Sequence, residues 1–261
     1  MLKTNLTKER MKAGEPAFGV ILPFASPALV EICGHIGFDF VLIEGEHASL
    51  NEDMCENMVR AAETMGITPL IRVPFVAPSL ISRLLDIGMQ GVQVAHVRSR
   101  ADVEAIVRSV KYYPEGARGL SHCRAAGYGL GLPLSEYVQR ANDATMIVLM
   151  IEDAEAIDEL DEMLRYDAVD VVVVGPGDLS QSLGLPGEYG HPVVVETIQR
   201  IMDRVNASGK VLGSAGGDVE SIRRHLRTGS KYVCIGATDL MAHAARDLLM
   251  SVRGAQGDGH A

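Results

Sequence analysis

The stretch VVVVGPGDLS, at residues 171–180, decides the fold class of this chain. Four consecutive valines bounded by turn residues are typical of a short strand that is buried on both faces, as strands are in a parallel sheet. The segment Gly175-Pro176-Gly177 ends that strand, and the residues from Leu179 onward can begin a helix. A buried strand followed at once by a helix predicts an α/β protein, in which ligands bind at the carboxyl ends of the strands.

Asp178 lies between this strand and this helix, and two interpretations of it are open. It can cap the helix N-terminus, and Gln181 three residues later would complete a capping box. It can instead present its carboxylate to a ligand, and the free N–H groups of a helix start also suit a bound anion. The stretch alone excludes neither interpretation.

Seven further short apolar segments share the character of the strand at 171–174, and helical patterns separate them. The eight predicted strands cover residues 18–22, 38–43, 68–73, 91–95, 144–151, 171–174, 210–213 and 232–235. Eight strands that alternate with helices over about 250 residues predict a (β/α)8 TIM barrel in a single domain. A doubly wound open sheet is the alternative, but no GxGxxG follows the first strand. An N-terminal helix at 1–16 and a disordered tail at 253–261 are expected outside the barrel.

The composition is that of an ordinary globular protein, since 47% of the 261 residues are apolar and 22% are charged. The net charge of −10 and the absence of basic runs argue against nucleic acid as a partner. No apolar run approaches the ~20 residues that span a bilayer, and the N-terminus lacks the apolar core of a signal peptide. The four cysteines are scattered without a CxxC pair, which indicates a reducing compartment. We therefore expect a cytoplasmic protein without a membrane or nucleic-acid partner.

Ionisable residues directly follow four of the predicted strands. They are Glu44, Glu46 and His47 after the second strand, Arg72 at the end of the third, Glu152 and Asp153 after the fifth, and Asp178 after the sixth. In a barrel, all of these would converge on the catalytic face at the carboxyl ends of the strands. Loops are polar in any protein, so the indication of a site comes from the combination of a cation, an imidazole and two carboxylate positions.

The residue types suit metal-assisted chemistry. Two carboxylates from neighbouring strands suit a hard divalent cation such as Mg2+ or Mn2+. His47 can be a third ligand or a general base, and Glu44 can fix its tautomer and raise its basicity. Arg72 can bind a carboxylate or a developing enolate oxygen. A surface turn at residues 44–47 and a structural ion pair at Arg72 are the alternatives.

The lysines exclude one class of carbonyl chemistry. None of the six ends a predicted strand, and Lys210 and Lys231 begin strands at the opposite face. A Schiff-base aldolase requires a desolvated lysine in its pocket. Carbonyl chemistry at this site must therefore use a metal ion as the electron sink.

A series of short motifs, specific in order and spacing, resembles the HpcH/HpaI aldolases, which are metal-dependent class II pyruvate aldolases on a (β/α)8 barrel. The resemblance runs from about residue 17 to about residue 240. Its motifs are Ser26-Pro27, Gly45-Glu46-His47, Ile71-Arg72-Val73-Pro74, Leu85-Asp86-Ile87-Gly88, Tyr113-Pro114-Glu115-Gly116-Ala117-Arg118-Gly119, Ile151-Glu152 and Gly175-Pro176-Gly177-Asp178-Leu179-Ser180.

The resemblance implies a role for each ionisable residue. Glu152 and Asp178 match the two metal-binding carboxylates, and the implied cation is Mg2+, Mn2+ or Co2+. His47 matches the general base, acting through water, with Glu44 beside it where the family usually has aspartate. Arg72 matches the arginine that steadies the pyruvate keto oxygen and its enolate.

The resemblance also implies how both halves of the substrate are bound. The backbone N–H groups of Gly177 and Asp178 match the cradle of the pyruvate carboxylate. Ala215 stands where the family often has a larger apolar residue against the aldehyde, so more space is expected there. Two further departures are Met150 in place of a glutamine, and Ala95-His96 in place of a proline after strand four.

The implied activity is the reversible cleavage of a 4-hydroxy-2-oxo acid to pyruvate and an aldehyde through a metal-stabilised pyruvate enolate. Oxaloacetate decarboxylation, a CoA-thioester lyase of the citrate-lyase type and a non-catalytic assembly subunit are the alternatives. Family members are typically homo-oligomers, often hexamers, with the C-terminal helix exchanged between subunits. The same assembly is expected of this chain.

Overall fold

Eight parallel strands close into a barrel in the computed structural model, which describes residues 3–257. Each strand pairs with the next in chain order and the last pairs with the first, so the predicted (β/α)8 topology is confirmed. The strands are β1 (Ala17–Leu22), β2 (Phe40–Glu44), β3 (Thr68–Val73), β4 (Gly91–Val94), β5 (Met146–Ile151), β6 (Val171–Val174), β7 (Val211–Ala215) and β8 (Tyr232–Gly236).

The helices surround this barrel, apart from the first, which precedes β1. They are α1 (Leu6–Lys12), α2 (Pro27–Ile36), α3 (Glu52–Met65), α4 (Pro78–Asp86), α5 (Arg100–Val110), α6 (Leu134–Ala144), α7 (Ala156–Leu164), α8 (Pro176–Ser182), α9 (Pro192–Ser208), α10 (Val219–Arg227) and α11 (Ala237–Gly257). Within residues 3–257, none of the helices is both long and apolar enough to cross a membrane.

Local sequence signals explain where several helices begin and end. The side chain of Asn51 caps α3, and Ser99 and Asp102 form a reciprocal capping box at the start of α5. Gly37 and Gly66 end α2 and α3 with φ of 98° and 72°, a left-handed conformation that glycine adopts without strain. These caps fix the loops that connect the strands to the helices.

Successive side chains of each strand alternate between the barrel interior and the surrounding helices. On β2, Phe40 and Leu42 belong to the interior cluster, whereas Val41 and Ile43 pack outward against the helices. Glu44 continues the inward series at the carboxyl end of the strand. The alternation therefore directs its carboxylate into the mouth of the barrel.

The barrel interior near the amino ends of the strands is filled by apolar and aromatic side chains. The rings of Phe40 and Tyr232 stack with their centroids 4.5 Å apart. A Cβ at Gly19 would lie 2.2 Å from the Phe40 ring, so this strand position requires glycine. Met11 of α1 packs into the same cluster. This end of the barrel is closed, which leaves the carboxyl end of the strands for a ligand.

Outside the strands, whose bounds differ from the predicted ones by at most two residues, the structure corrects the predicted boundaries in two places. The helix predicted at 1–16 is shorter, Leu6–Lys12. The segment between α5 and β5, residues 111–145, contains a 3-10 helix, Gly127–Gly129, and α6, whose sequence pattern is weak because few large apolar residues mark its buried face. The tail predicted at 253–261 begins inside α11, and residues 1–2 and 258–261 lie outside the described residues.

Candidate active site

Three charged side chains enter the carboxyl end of the barrel from its strands. Glu44 comes from β2, Arg72 from β3, and Glu152 directly follows β5. Glu44 and Glu152 are only 2% and 1% exposed. A buried charge is costly unless it is paired, so the partners of these groups define the site.

Glu44 holds the loop after β2 and the Arg72 guanidinium at the same time. Its Oε1 accepts hydrogen bonds from the backbone N–H groups of Glu46, at 2.8 Å, and of His47, at 3.0 Å. Its Oε2 accepts the Nε–H of Arg72 at 2.7 Å and also pairs with Nη2 of the same side chain. The contact expected between Glu44 and the His47 ring is replaced by this backbone contact, because four N–H groups already occupy the carboxylate.

The imidazole of His47 lies on the open side of the site, where its side chain is 65% exposed. Its Nε2 is 3.7 Å from Oε2 of Glu46, and Nε of Arg72 is 3.3 Å from the same oxygen. The other oxygen of Glu46 lies 3.5 Å from Nε2 of His96. The nearly buried Glu46 therefore links an arginine and two histidines.

Glu152 lies against the start of α8. Its Oε1 accepts the backbone N–H of His96 at 2.9 Å, and a Cβ at Gly175 would lie 2.3 Å from Oε2, so glycine makes space for the carboxylate. Burial raises the pKa of Glu152, and the negative charges of Glu46 and Asp178 raise it further, although His96 opposes both effects. A carboxylate in these surroundings is stabilised in its charged form by a bound cation.

Asp178 lies in the first turn of α8, whose N-cap is Gly175. The capping box that the sequence allowed between Asp178 and Gln181 is not formed, because Pro176 at the first helical position starts the helix earlier. The half-exposed Asp178 carboxylate instead adds negative charge near Glu152. The interpretation of Asp178 as the cap of this helix is therefore wrong.

His96 is a site residue that the sequence analysis did not include. It follows β4 with a positive φ of 53°, and its Nδ1 is 3.0 Å from Oδ2 of Asp153, whose other oxygen pairs with Arg98 at 3.2 Å. Burial lowers the pKa of His96, but the hydrogen bond to Asp153 and the charges of Glu152, Asp153 and Glu46 outweigh it, so the pKa is raised. The sequence signal that could have indicated His96 is the replacement of the family's usual proline after strand four by Ala95-His96.

The donor atoms at this end of the barrel fit a divalent cation. Within residues 3–257, one donor atom each of Glu46, His96 and Glu152 lie within 4.8 Å of one another. Carboxylate oxygens and an imidazole nitrogen are ligands that Mn2+, Co2+ and related ions accept. The predicted ligand Glu152 belongs to this group, and Asp178 lies beside it.

Two N–H donors face the sulfur of Met150. Nη1 of Arg72 lies 3.8 Å from Sδ, and Nε2 of Gln93 lies 3.5 Å from it. A thioether is a weak acceptor, so both donors gain by exchanging it for a ligand oxygen. Burial lowers the pKa of Arg72, but the neighbouring glutamates, Glu44 above all, outweigh burial and raise it, so the guanidinium stays cationic.

The positions expected to bind the substrate lie at the same end of the barrel. Gly177 and Asp178 are the second and third residues of α8, so their N–H groups have no acceptor within the helix. A Cβ at Gly177 would meet nothing within 4 Å. Ala215 is the exposed last residue of β7. The structure leaves space at both places for a small ligand.

A family model described as HpcH/HpaI aldolase/citrate lyase matches residues 17–245. The chain belongs to this family. A hydroxypyruvate/pyruvate aldolase of Pseudomonas aeruginosa is 33% identical over 254 residues, which are 97% of this chain and 94% of the relative. A 2-keto-3-deoxy-L-rhamnonate aldolase of Escherichia coli is 33% identical over 248 residues, which are 94% and 92% of the two chains. The solved structure of an HpcH/HpaI aldolase from Desulfitobacterium hafniense matches with a TM-score of 0.88 at 28% identity, covering 94% of this chain and 96% of the other.

The predicted family is confirmed by these matches. As a member of the HpcH/HpaI family with aldolase relatives that cover 97% and 94% of its length, the protein is a lyase of the metal-dependent, class II aldolase type. The barrel mouth described above lies at the carboxyl ends of the strands, which is where TIM-barrel enzymes have their active sites.

Proposed function

We propose that this protein catalyses the reversible aldol cleavage of a 4-hydroxy-2-oxo acid to pyruvate and an aldehyde, with Mg2+, Mn2+ or Co2+ as its cofactor. The observation that carries the proposal is that the buried carboxylate of Glu152 and the guanidinium of Arg72 lie at the same end of the barrel, close enough for the charge of Glu152 to raise the pKa of Arg72. A cation and a guanidinium are what an enolate oxygen needs. Relatives named as aldolases of hydroxypyruvate/pyruvate and of 2-keto-3-deoxy-L-rhamnonate support an oxo-acid substrate.

Glu152 and Asp178 are the residues that would hold the cation. When bound, the cation supplies Lewis-acid stabilisation of the negative charge on the enolate, worth several kcal/mol. The N–H groups of Gly177 and Asp178 bind the carboxylate of the pyruvate half, as helix starts bind anions. Ala215 faces the aldehyde half, where its small side chain leaves space.

His47 is the general base of the proposed reaction. In the cleavage direction it takes the proton of the C4 hydroxyl, directly or through water, and the C4 oxygen becomes the aldehyde carbonyl. The C3–C4 bond breaks, and its electron pair moves through C2 onto the keto oxygen, to which Nη1 of Arg72 donates. A proton then returns to C3 and gives pyruvate. Such proton transfer contributes about 10²- to 10⁴-fold in rate.

The experiment compares two variants in two assays. Glu152→Gln should abolish both aldol cleavage and oxaloacetate decarboxylation, because both require the stabilised enolate. His47→Ala should lower aldol cleavage by about 10²- to 10⁴-fold and spare decarboxylation, which needs no base. Glu155→Gln, an exposed glutamate three residues from Glu152, is the matched control and should keep both activities.

The proposal would be overturned by full aldol cleavage in Glu152→Gln with EDTA present. Equal loss of both activities in His47→Ala would remove the base role from His47. Oxaloacetate decarboxylation as the sole activity of the unmodified protein would replace aldol cleavage as its function.

We also propose that the protein is a homo-oligomer, a hexamer with α11 exchanged between subunits, and that it functions in the cytoplasm. Exposed apolar side chains along α11 support the assembly; they are Leu240, Met241, Leu248, Leu249, Met250 and Val252. Four free thiols support a reducing compartment. Light scattering of the purified protein tests the assembly, and a monomer at micromolar concentration would contradict it.

A further inference from the structure

The imidazole of His96 is hydrogen-bonded to Asp153 at one nitrogen and faces the Glu46 carboxylate with the other. Its Nδ1 lies 3.0 Å from Oδ2 of Asp153, and Arg98 fixes that carboxylate from the far side at 3.2 Å. A carboxylate acceptor at Nδ1 keeps the proton on that nitrogen and leaves a lone pair on Nε2. Histidines that bind metal ions in proteins almost always have such an acceptor behind them. Nε2 of His96 faces Oε1 of Glu46 at 3.5 Å.

The spacing of the donor atoms is that of ligands around one ion. Atoms bound at about 2.1 Å to an octahedral cation are about 3.0 Å apart when adjacent and about 4.2 Å apart when opposite. One donor atom each of Glu46, His96 and Glu152 lie within 4.8 Å of one another. Nε2 of His96 is 3.5 Å from Oε1 of Glu46, and Nδ1 of the same ring is 3.7 Å from Oε1 of Glu152.

The backbone at His96 gives a second, independent indication. A φ of 53° at a residue other than glycine is uncommon, costs free energy, and is typical of functional sites. Here this conformation turns the N–H of His96 onto Oε1 of Glu152 at 2.9 Å. Backbone and side chain of His96 thus converge on the same carboxylate.

We propose that Nε2 of His96 is a third protein ligand of the cation, beside Glu152 and Asp178, and that Asp153 is the positioning residue of its imidazole. The inference rests on the proposed function, in which Glu152 and Asp178 already hold the cation. An imidazole donor favours Mn2+, Co2+ and Zn2+ over Mg2+, which prefers oxygen ligands. His96 therefore sets a metal preference that differs from that of a site built from oxygen donors alone.

The direct test is pulsed electron paramagnetic resonance of the full chain loaded with Mn2+, which detects the nitrogen of a coordinated imidazole. We expect the imidazole signal in the unmodified protein and in His47→Asn, and its loss in His96→Asn. Asparagine is chosen because it tolerates a positive φ, and thermal unfolding checks that the variant is folded. His47→Asn is the matched control because His47 is the other imidazole beside Glu46.

Metal titration gives a second readout that does not depend on activity. In His96→Asn the affinity for Co2+ should fall about 10- to 100-fold, and the affinity for Mg2+ should fall less. Asp153→Asn keeps the imidazole but removes its acceptor, and should weaken Co2+ binding in the same range. Unchanged affinities for both ions in both variants would contradict the proposed ligand.

The outcomes separate this inference from the proposed function. Mn2+ bound in a Glu152-dependent manner without an imidazole signal would overturn the ligand role of His96 and leave the aldolase proposal intact; His96 would then be a charged partner of the carboxylates. Mn2+ that fails to bind, or binds equally to Glu152→Gln, would overturn both. An imidazole signal that persists in His96→Asn would assign the nitrogen to another residue.

Discussion

Replacing Glu44 by glutamine should destabilise the protein and disable its site together. The Glu44 carboxylate accepts two backbone N–H groups and two N–H groups of Arg72, while being 2% exposed. Breaking a buried ion pair costs about 3–5 kcal/mol, and we expect about 3 kcal/mol because Arg72 keeps Glu46 at 3.3 Å. At about 2–4 °C per kcal/mol for a chain of this size, the melting temperature should fall by about 6–12 °C.

The same substitution should also lower the rate of aldol cleavage. Arg72 and the backbone of His47 are both held by this carboxylate, and a displacement of about 1 Å in catalytic groups can cost about 10²-fold. Thermal unfolding at pH 7.5 and pyruvate release coupled to lactate dehydrogenase measure the two effects. The matched control is Glu52→Gln, which removes an exposed pair with Arg83 and should cost less than about 1 kcal/mol.

A melting temperature of Glu44→Gln within about 2 °C of that of the unmodified protein would contradict this expectation, because the loss of a buried ion pair should cost more. If Glu44→Gln keeps its melting temperature but changes the pH profile of catalysis, that result would instead support a direct contact between Glu44 and the His47 ring.

Three further substitutions test other parts of the molecule. Burial lowers the pKa of Lys111 from 10.5 to about 8, so between these values the unfolded chain holds a proton that the folded chain has released, and stability rises with pH. The unfolding free energy of the unmodified protein, relative to that of Lys111→Met, should therefore rise by about 1 kcal/mol from pH 7.5 to 9. Lys12→Met, at an exposed lysine, is the control. A difference in unfolding free energy between the unmodified protein and Lys111→Met that is the same at both pH values would contradict this expectation. Ala215→Leu should lower kcat/KM for bulky aldehydes by about 10- to 200-fold while acetaldehyde is used nearly as before, and equal loss for all aldehydes would remove Ala215 from the acceptor site. Met150→Gln gives Nη1 of Arg72 an amide oxygen in place of a thioether, which should change the KM for pyruvate about 5- to 10-fold at constant melting temperature; an unchanged KM would place the pyruvate half elsewhere.

The strand order and the end of the barrel that carries the chemistry could be predicted because both depend on local features. Short apolar runs closed by glycine and proline mark the strands, and a charged residue at a strand end can only lie at the carboxyl face. Arg72 and Glu152 were placed correctly on this basis. Lys210 lies before β7 at the opposite end, donating to the carbonyl of Tyr166, in agreement with the exclusion of Schiff-base chemistry.

The contacts within the site could not be predicted, because they depend on chain segments that are distant in sequence. The Glu44 carboxylate had a plausible partner in the His47 ring three residues away, but the loop backbone and Arg72, 28 residues away, occupy it instead. His96 meets Glu152 across 56 residues, and a lone histidine in a loop carries no local signal of such a contact. The alternative interpretation of Asp178 as a helix cap is wrong because the helix begins earlier, at Pro176.

The central claim is that Glu152 and Asp178 share one divalent cation with the oxo acid at the barrel mouth. The most direct measurement is anomalous diffraction from crystals of the protein grown with Mn2+ and pyruvate. We predict one anomalous peak within about 2.2 Å of a carboxylate oxygen of each residue, with pyruvate oxygens against the same ion. A peak that is bonded to only one of the two residues, or that lies away from the carboxyl ends of β5 and β6, would contradict the claim.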